Sequence, residues 1–201
     1  MAPELYSTIG AGIAAIGGIV FLYSTIRGTV QPHRVSWFFW AAFPLIIFCV
    51  QSAEGVGSVK WVTFVAGLIP ALVFGASFLN PRAYWHISRR DYGFGLLALF
   101  ILVLWIFTRE SEIAIVLTVI ADIAVAIPTI DKTFRHPESE SWVAYGLYAL
   151  GYTVALGGVT EWNITDGAFA LYVSVGNAVM MCIALRKRAG DSNAPTLPRS
   201  A

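Results

Sequence analysis

Asp122 has the clearest chemical potential in this sequence. It is an acidic residue near the centre of an otherwise uncharged run, about Ile113 to Ile130. A carboxylate at such depth is costly unless it is protonated, paired or facing a polar cavity. It can therefore carry a proton, hold a ligand, or bind a neighbouring helix in its protonated form. Asn177 is the second polar group at depth, inside the apolar run from about Gly167 to Leu185. It reads either as a hydrogen bonder to a solute or as a link between helices. Trp37, Trp40, Gln51 and Trp162 are further pocket or gate candidates. Anchoring at the water interface also explains the tryptophans, and a solvated helix end explains Gln51 and Glu54.

The remaining reactive groups point to no catalytic class. Cys49 and Cys182 lie within apolar runs and read as free buried thiols. His33, His86 and His136 fall in polar connections, as does Asp131, without metal-ligand spacing. Glu138 and Glu140, near Arg135, read as a salt-bridged turn. No catalytic residue, metal or cofactor is expected, and a net charge of +1 gives no reason to expect nucleic acid.

The elements that must position Asp122 and Asn177 are membrane helices. The chain has 201 residues, 57% of them hydrophobic and only 12% charged. The apolar residues come in long uncharged blocks, the pattern of membrane spans. Seven spans are expected, at about 5–26, 36–53, 61–79, 92–108, 113–130, 142–159 and 167–185. Pro44, Pro70 and Pro128 lie inside three of them. The fourth is almost purely Leu, Ile, Val and Phe and reads as a lipid-facing or linking helix. The charge distribution sets an orientation. One side of this arrangement carries Arg27, Arg34, Arg82, Arg89, Arg90, Lys132, Arg135, Arg186, Lys187, Arg188 and Arg199, and the other only Lys60 and Arg109. By the positive-inside rule the C-terminus is cytoplasmic and the N-terminus outside. The expected location is the plasma (inner) membrane, with anionic lipid against the basic face.

A repeat is written across the chain. At an offset of 105 positions, Arg27 falls on Lys132, Pro32 on Pro137, Ser36 on Ser141, Trp37 on Trp142 and Trp40 on Tyr145, without a gap. Spans one to three thus match spans five to seven, and an odd fourth span gives both triplets the same orientation. The expected fold is an all-α membrane protein of seven transmembrane helices in a three-plus-one-plus-three parallel-repeat architecture. Its parts are a first repeat at 5–80, a loop and linker helix at 81–111, a second repeat at 112–186 and a disordered tail at 187–201.

This arrangement resembles the SWEET and PQ-loop transporter superfamily. The local match is Pro128-Thr129-Ile130-Asp131-Lys132, then a polar turn and Ser141. It is similar to the family's Pro-Gln, basic residue, turn, Ser pattern, with Thr129 in place of the glutamine. The first repeat has Tyr23-Ser24 at the corresponding place. The resemblance implies alternating access by two rocking triplets, with Pro128 as a hinge. Sugar carriers of the family use an asparagine in each third helix. Asn177 matches that position, but its repeat mate is Leu72. Carriers of nicotinamide riboside use Trp with Asn or Gln, for which Trp37, Trp40 and Gln51 are the candidates. Some relatives couple transport to protons through intramembrane aspartates, a role that would fall to Asp122.

The expected function is passage of a small polar solute, such as a sugar, nucleoside, vitamin precursor or amino acid, facilitated or proton-linked. The alternative is a non-transporting receptor or assembly subunit on the same fold. A retinal protein is disfavoured, because the seventh span has no lysine before Lys187. A homo-oligomer is left open.

Overall fold

The computed structural model describes residues 3–83, 89–108 and 110–191. His86, Arg109 and the tail from 192, including Arg199, lie outside the described residues. Among the described residues seven α-helices follow one another: α1 (Pro3–Ile26), α2 (Arg34–Ala53), α3 (Lys60–Ser77), α4 (Arg89–Thr108), α5 (Ser111–Arg135), α6 (Trp142–Ala155) and α7 (Phe169–Asp191). There is no strand among the described residues. Among the described residues five segments are long and apolar enough to cross a membrane: α1, α2, α3, α5 and Ile164–Arg186.

Two elements differ from the sequence expectation. The sixth apolar run is a helix of only 14 residues, continued by a 3-10 turn at Leu156–Gly158. At 1.5 Å per residue the helix covers about 21 Å, less than the ~30 Å of a hydrocarbon core. Two glycines, Gly157 and Gly158, end the regular helix there. The seventh run opens with a π-helical turn, Ile164–Ala168, and continues beyond Arg186 to Asp191.

Local chemistry sets the helix starts. His33 stands at the N-cap of α2, and its Nδ1 accepts from the Ser36 amide at 3.3 Å. Ser141 caps α6 by accepting from the Ala144 amide at 3.3 Å. Asn163 caps the π turn through the Asp166 amide at 2.8 Å. Each satisfies an amide that has no partner within its helix. His33 is thus a buried cap and not an exposed loop residue.

Helix α3 packs on both α1 and α2, and α7 packs on both α5 and α6. The two groups meet where α1 lies on α6 and where α2 lies on α5. Helix α4 lies mainly on α5 and also touches α2. The α1–α6 contact is made by small residues. A Cβ placed on Gly10 would lie 2.5 Å from the Gly151 carbonyl oxygen, and one on Gly151 would lie 2.6 Å from the Ala14 amide nitrogen. The two backbones touch with no side chain between them, the usual reason for glycine at such a crossing.

Much of the outer surface is apolar, with Ile16, Ile19, Leu96, Phe107, Ile120 and Val175 exposed. Isoleucine, leucine and phenylalanine in such number on the outside are suited to lipid. Cys49 and Cys182 are free, but both lie on this outer surface and not in the core.

Candidate functional site

Five helices enclose a cavity of about 230 Å³. Helix α2 contributes Trp37, Trp40 and Pro44; α3 contributes Ala66 and Pro70. Helix α5 contributes Asp122, Ile123, Ala126 and Ile130; α6 contributes Tyr145, Tyr148 and Tyr152. Helix α7 contributes Phe169, Tyr172, Val173, Gly176, Asn177, Val179 and Met180. Helix α1 contributes no lining residue, because its small residues hold it flush against α6.

Asp122 is 6% exposed. Its Oδ2 accepts a hydrogen bond of 2.6 Å from the Tyr172 hydroxyl, whereas Oδ1 is covered and has no hydrogen-bond partner. Two more lining residues carry covered polar atoms without partners: Trp37 at Nε1 and Tyr148 at its hydroxyl. Native proteins pair nearly all such atoms, so three on residues of one cavity are unusual. Asn177 donates from Nδ2 to the Val173 carbonyl of its own helix, at 2.8 Å. It therefore makes no link between helices through that group. Besides Tyr172, Ser174 links α7 to a neighbour: its Oγ lies 2.7 Å from Thr153 Oγ1 on α6.

The tyrosines of α6 occupy one face at i, i+3 and i+7. Tyr152 donates to the Val62 carbonyl of α3 at 3.3 Å, and Tyr145 donates to Glu140 Oε2 at 2.9 Å. Trp37 and Trp40 meet edge-on with centroids 5.4 Å apart. Phe21 of α1 backs Trp37 at 4.4 Å and Tyr145 at 5.9 Å. Trp37 is thus fixed in the core and is not an interface anchor.

Proline gives two walls an additional character. Pro44 and Pro70 supply no N–H, so the Trp40 and Ala66 carbonyls lack their ordinary helical donors. Both Trp40 and Ala66 line the cavity.

The other candidates lie elsewhere. Gln51 is buried but turned to the π turn before α7, where its Nε2 donates to the Thr165 carbonyl at 2.9 Å. This buried link replaces the solvated end expected for it. Trp162 is 69% exposed and does not line the cavity. Pro128 lies on the cavity-bearing helix α5 but faces outward. Close to it, the Val125 carbonyl accepts from Ser36 of α2 at 3.0 Å, and Ser36 Oγ lies 2.9 Å from His33 Nδ1. Leu72, the repeat mate of Asn177, is 48% exposed on the outer surface.

One end of the cavity is tied by an ion pair. Lys132 Nζ lies 2.5 Å from Glu140 Oε1 and also donates to the Gln31 carbonyl before α2. The Gln31 amide in turn donates to the Ser139 carbonyl at 2.9 Å. The partner of Glu140 is therefore Lys132, while Arg135 pairs with Asp131 at 3.1 Å. At the other end Ser111 of α5 donates to Glu54 beyond α2. Among the described residues no group of three or more His, Cys, Asp or Glu is placed to hold a metal.

No protein-family model, curated protein or solved structure matches this chain.

Proposed function

We propose that this protein carries a small polar solute across a membrane by alternating access through the cavity. The observation that carries the reading is the cavity itself, enclosed by α2 and α3 on one side and α5, α6 and α7 on the other, with Asp122 and Asn177 in its wall.

The packing supports a three-plus-one-plus-three parallel repeat. Exchange α1 with α5, α2 with α6 and α3 with α7, as the 105-residue offset does. The α1–α6 contact then becomes the α2–α5 contact, α1–α3 becomes α5–α7, and α2–α3 becomes α6–α7. Helix α4 falls outside the exchange, as a linker does. Two similar units around a central cavity are the arrangement that rocking transporters use. The excess of Lys and Arg on one side supports an outside N-terminus and a cytoplasmic C-terminus. In this arrangement the Lys132–Glu140 pair and the Gln31–Ser139 backbone bond close the cytoplasmic end. Asp122 binds the solute or exchanges a proton with it, and Asn177 offers a hydrogen bond from the same wall. Bending of α5 at Pro128 accompanies the opening.

The test is uptake into proteoliposomes of sugars, nucleosides, amino acids, vitamin precursors and organic cations, with and without a pH gradient, in wild type and Asp122→Asn. Uptake whose gradient dependence disappears in Asp122→Asn supports proton coupling. Uptake that is indifferent to the gradient leaves Asp122 a binding residue. If folded protein moves none of the panel, the transport reading fails. The receptor or assembly-subunit reading then takes its place; the seven aromatic side chains of the cavity are the feature that favours it.

A further inference from the structure

We infer that the solute is a small aliphatic ammonium ion that also carries an oxygen acceptor. The inference rests on the reading of the cavity as a solute site.

The first observation is charge. Asp122 lines the cavity and, among the described residues, no Lys, Arg or His does. A phosphate or carboxylate in this space would have no counter-charge and would face the carboxylate of Asp122. That disfavours anions, and zwitterions whose carboxylate enters with the rest of the molecule. A cation meets the opposite situation. Asp122 offers a negative group with one oxygen unpartnered.

The second observation is the wall material. Two tryptophans, four tyrosines and Phe169 line the space. Aromatic faces attract a poorly hydrated cation, and quaternary ammonium groups use them in place of hydrogen bonds. A sugar has several hydroxyls to satisfy, and this wall holds few polar side chains beyond Asp122, Asn177 and the tyrosine hydroxyls. The third observation is the pair of unpartnered hydrogen donors, Trp37 Nε1–H and the Tyr148 hydroxyl. They call for an acceptor oxygen on the solute. Size agrees: a space of about 230 Å³ admits a small aliphatic ammonium alcohol.

The probe is choline, compared with tetramethylammonium and with the neutral alcohol in which carbon replaces the nitrogen. Binding is read on the purified full-length chain by tryptophan emission and by thermal shift. Choline is expected to bind at least about tenfold more tightly than its neutral isostere. Asp122→Asn should weaken choline by about tenfold or more and leave the isostere nearly unchanged. Tyr148→Phe should weaken choline several-fold and leave tetramethylammonium, which has no oxygen, unaffected. Equal binding of choline and the isostere overturns the inference, as does absence of choline binding by folded protein. If Asp122→Asn does not fold, the wild-type isostere comparison and Tyr148→Phe decide. The two readings fail separately. Uptake of a neutral solute without choline binding removes the cation and keeps the carrier; choline binding without uptake of any solute keeps the cation site and removes the carrier.

Discussion

Replacing Gly151 by alanine should destabilise the protein through one contact. The added Cβ would lie 2.6 Å from the Ala14 amide nitrogen and 2.7 Å from the Gly10 carbonyl oxygen, both backbone atoms of α1. Ordinary contact begins near 3.4 Å, so the helices must part by about 0.8 Å, the difference between 3.4 and 2.6 Å. Overpacking of this kind costs about 1–3 kcal/mol. Alanine returns about 0.8–1.0 kcal/mol of helix propensity, leaving a net loss near 1 kcal/mol. Gly12, on the facing helix α1, has nothing within 4 Å of its virtual Cβ, so Gly12→Ala should keep the propensity gain and incur no clash. The two variants should therefore differ by about 1–3 kcal/mol. At about 2–4 °C per kcal/mol for a chain of this size, that is roughly 2–12 °C between their midpoints. Thermal melts in detergent, followed by intrinsic fluorescence, measure it. If Gly151→Ala melts at or above Gly12→Ala, the close α1–α6 contact is not present in solution and the argument is wrong.

Two other outcomes follow from the ends of the bundle. The Glu140 side chain is 0% exposed, so Lys132→Met should strand a buried carboxylate and cost about 3–5 kcal/mol. Adding Glu140→Gln should recover most of the loss, and a single variant as stable as the wild type would refute the pair's role. For orientation, Cys49 and Cys182 are replaced by alanine and single cysteines are introduced as Gly57→Cys or Thr29→Cys. An impermeant maleimide should label the first in intact cells and the second only after permeabilisation; the reverse pattern would invert the topology.

Asp122 and Asn177 were legible in the sequence because a polar side chain in an apolar run has no cheap explanation. The structure puts both on one cavity with Trp37 and Trp40. The tyrosines were not singled out. Tyrosine suits a core, an interface or a binding wall equally well, and composition does not separate these. The spacing of Tyr145, Tyr148 and Tyr152 was the available signal, since it places three hydroxyls along one helix face. Gln51 and Trp162 stood out by type alone, and tertiary contacts send them elsewhere: Gln51 to the Thr165 carbonyl, Trp162 to the exposed surface. Pro44 and Pro70 are visible in the sequence as prolines inside their spans. Their place on the cavity wall depends on how α2 and α3 are rotated about their axes, which hydropathy leaves open. The helical runs were plain from length, but the shortness of α6 was not. Its apolar run continues through Gly157 and Gly158, where the helix does not.

The glycine contact between α1 and α6 also bears on how the molecule moves. Where backbone rests on backbone, there is no layer of side chains to change rotamers and let one helix glide along the other. If the two triplets move apart, that line must remain nearly fixed and the motion must be a turn about it. The α2–α5 side is built differently, with Trp37, Trp40 and Asp122 around a space. Under the proposed mechanism the molecule would open like a book, with α1 and α6 as its spine and the pages parting between α2 and α5.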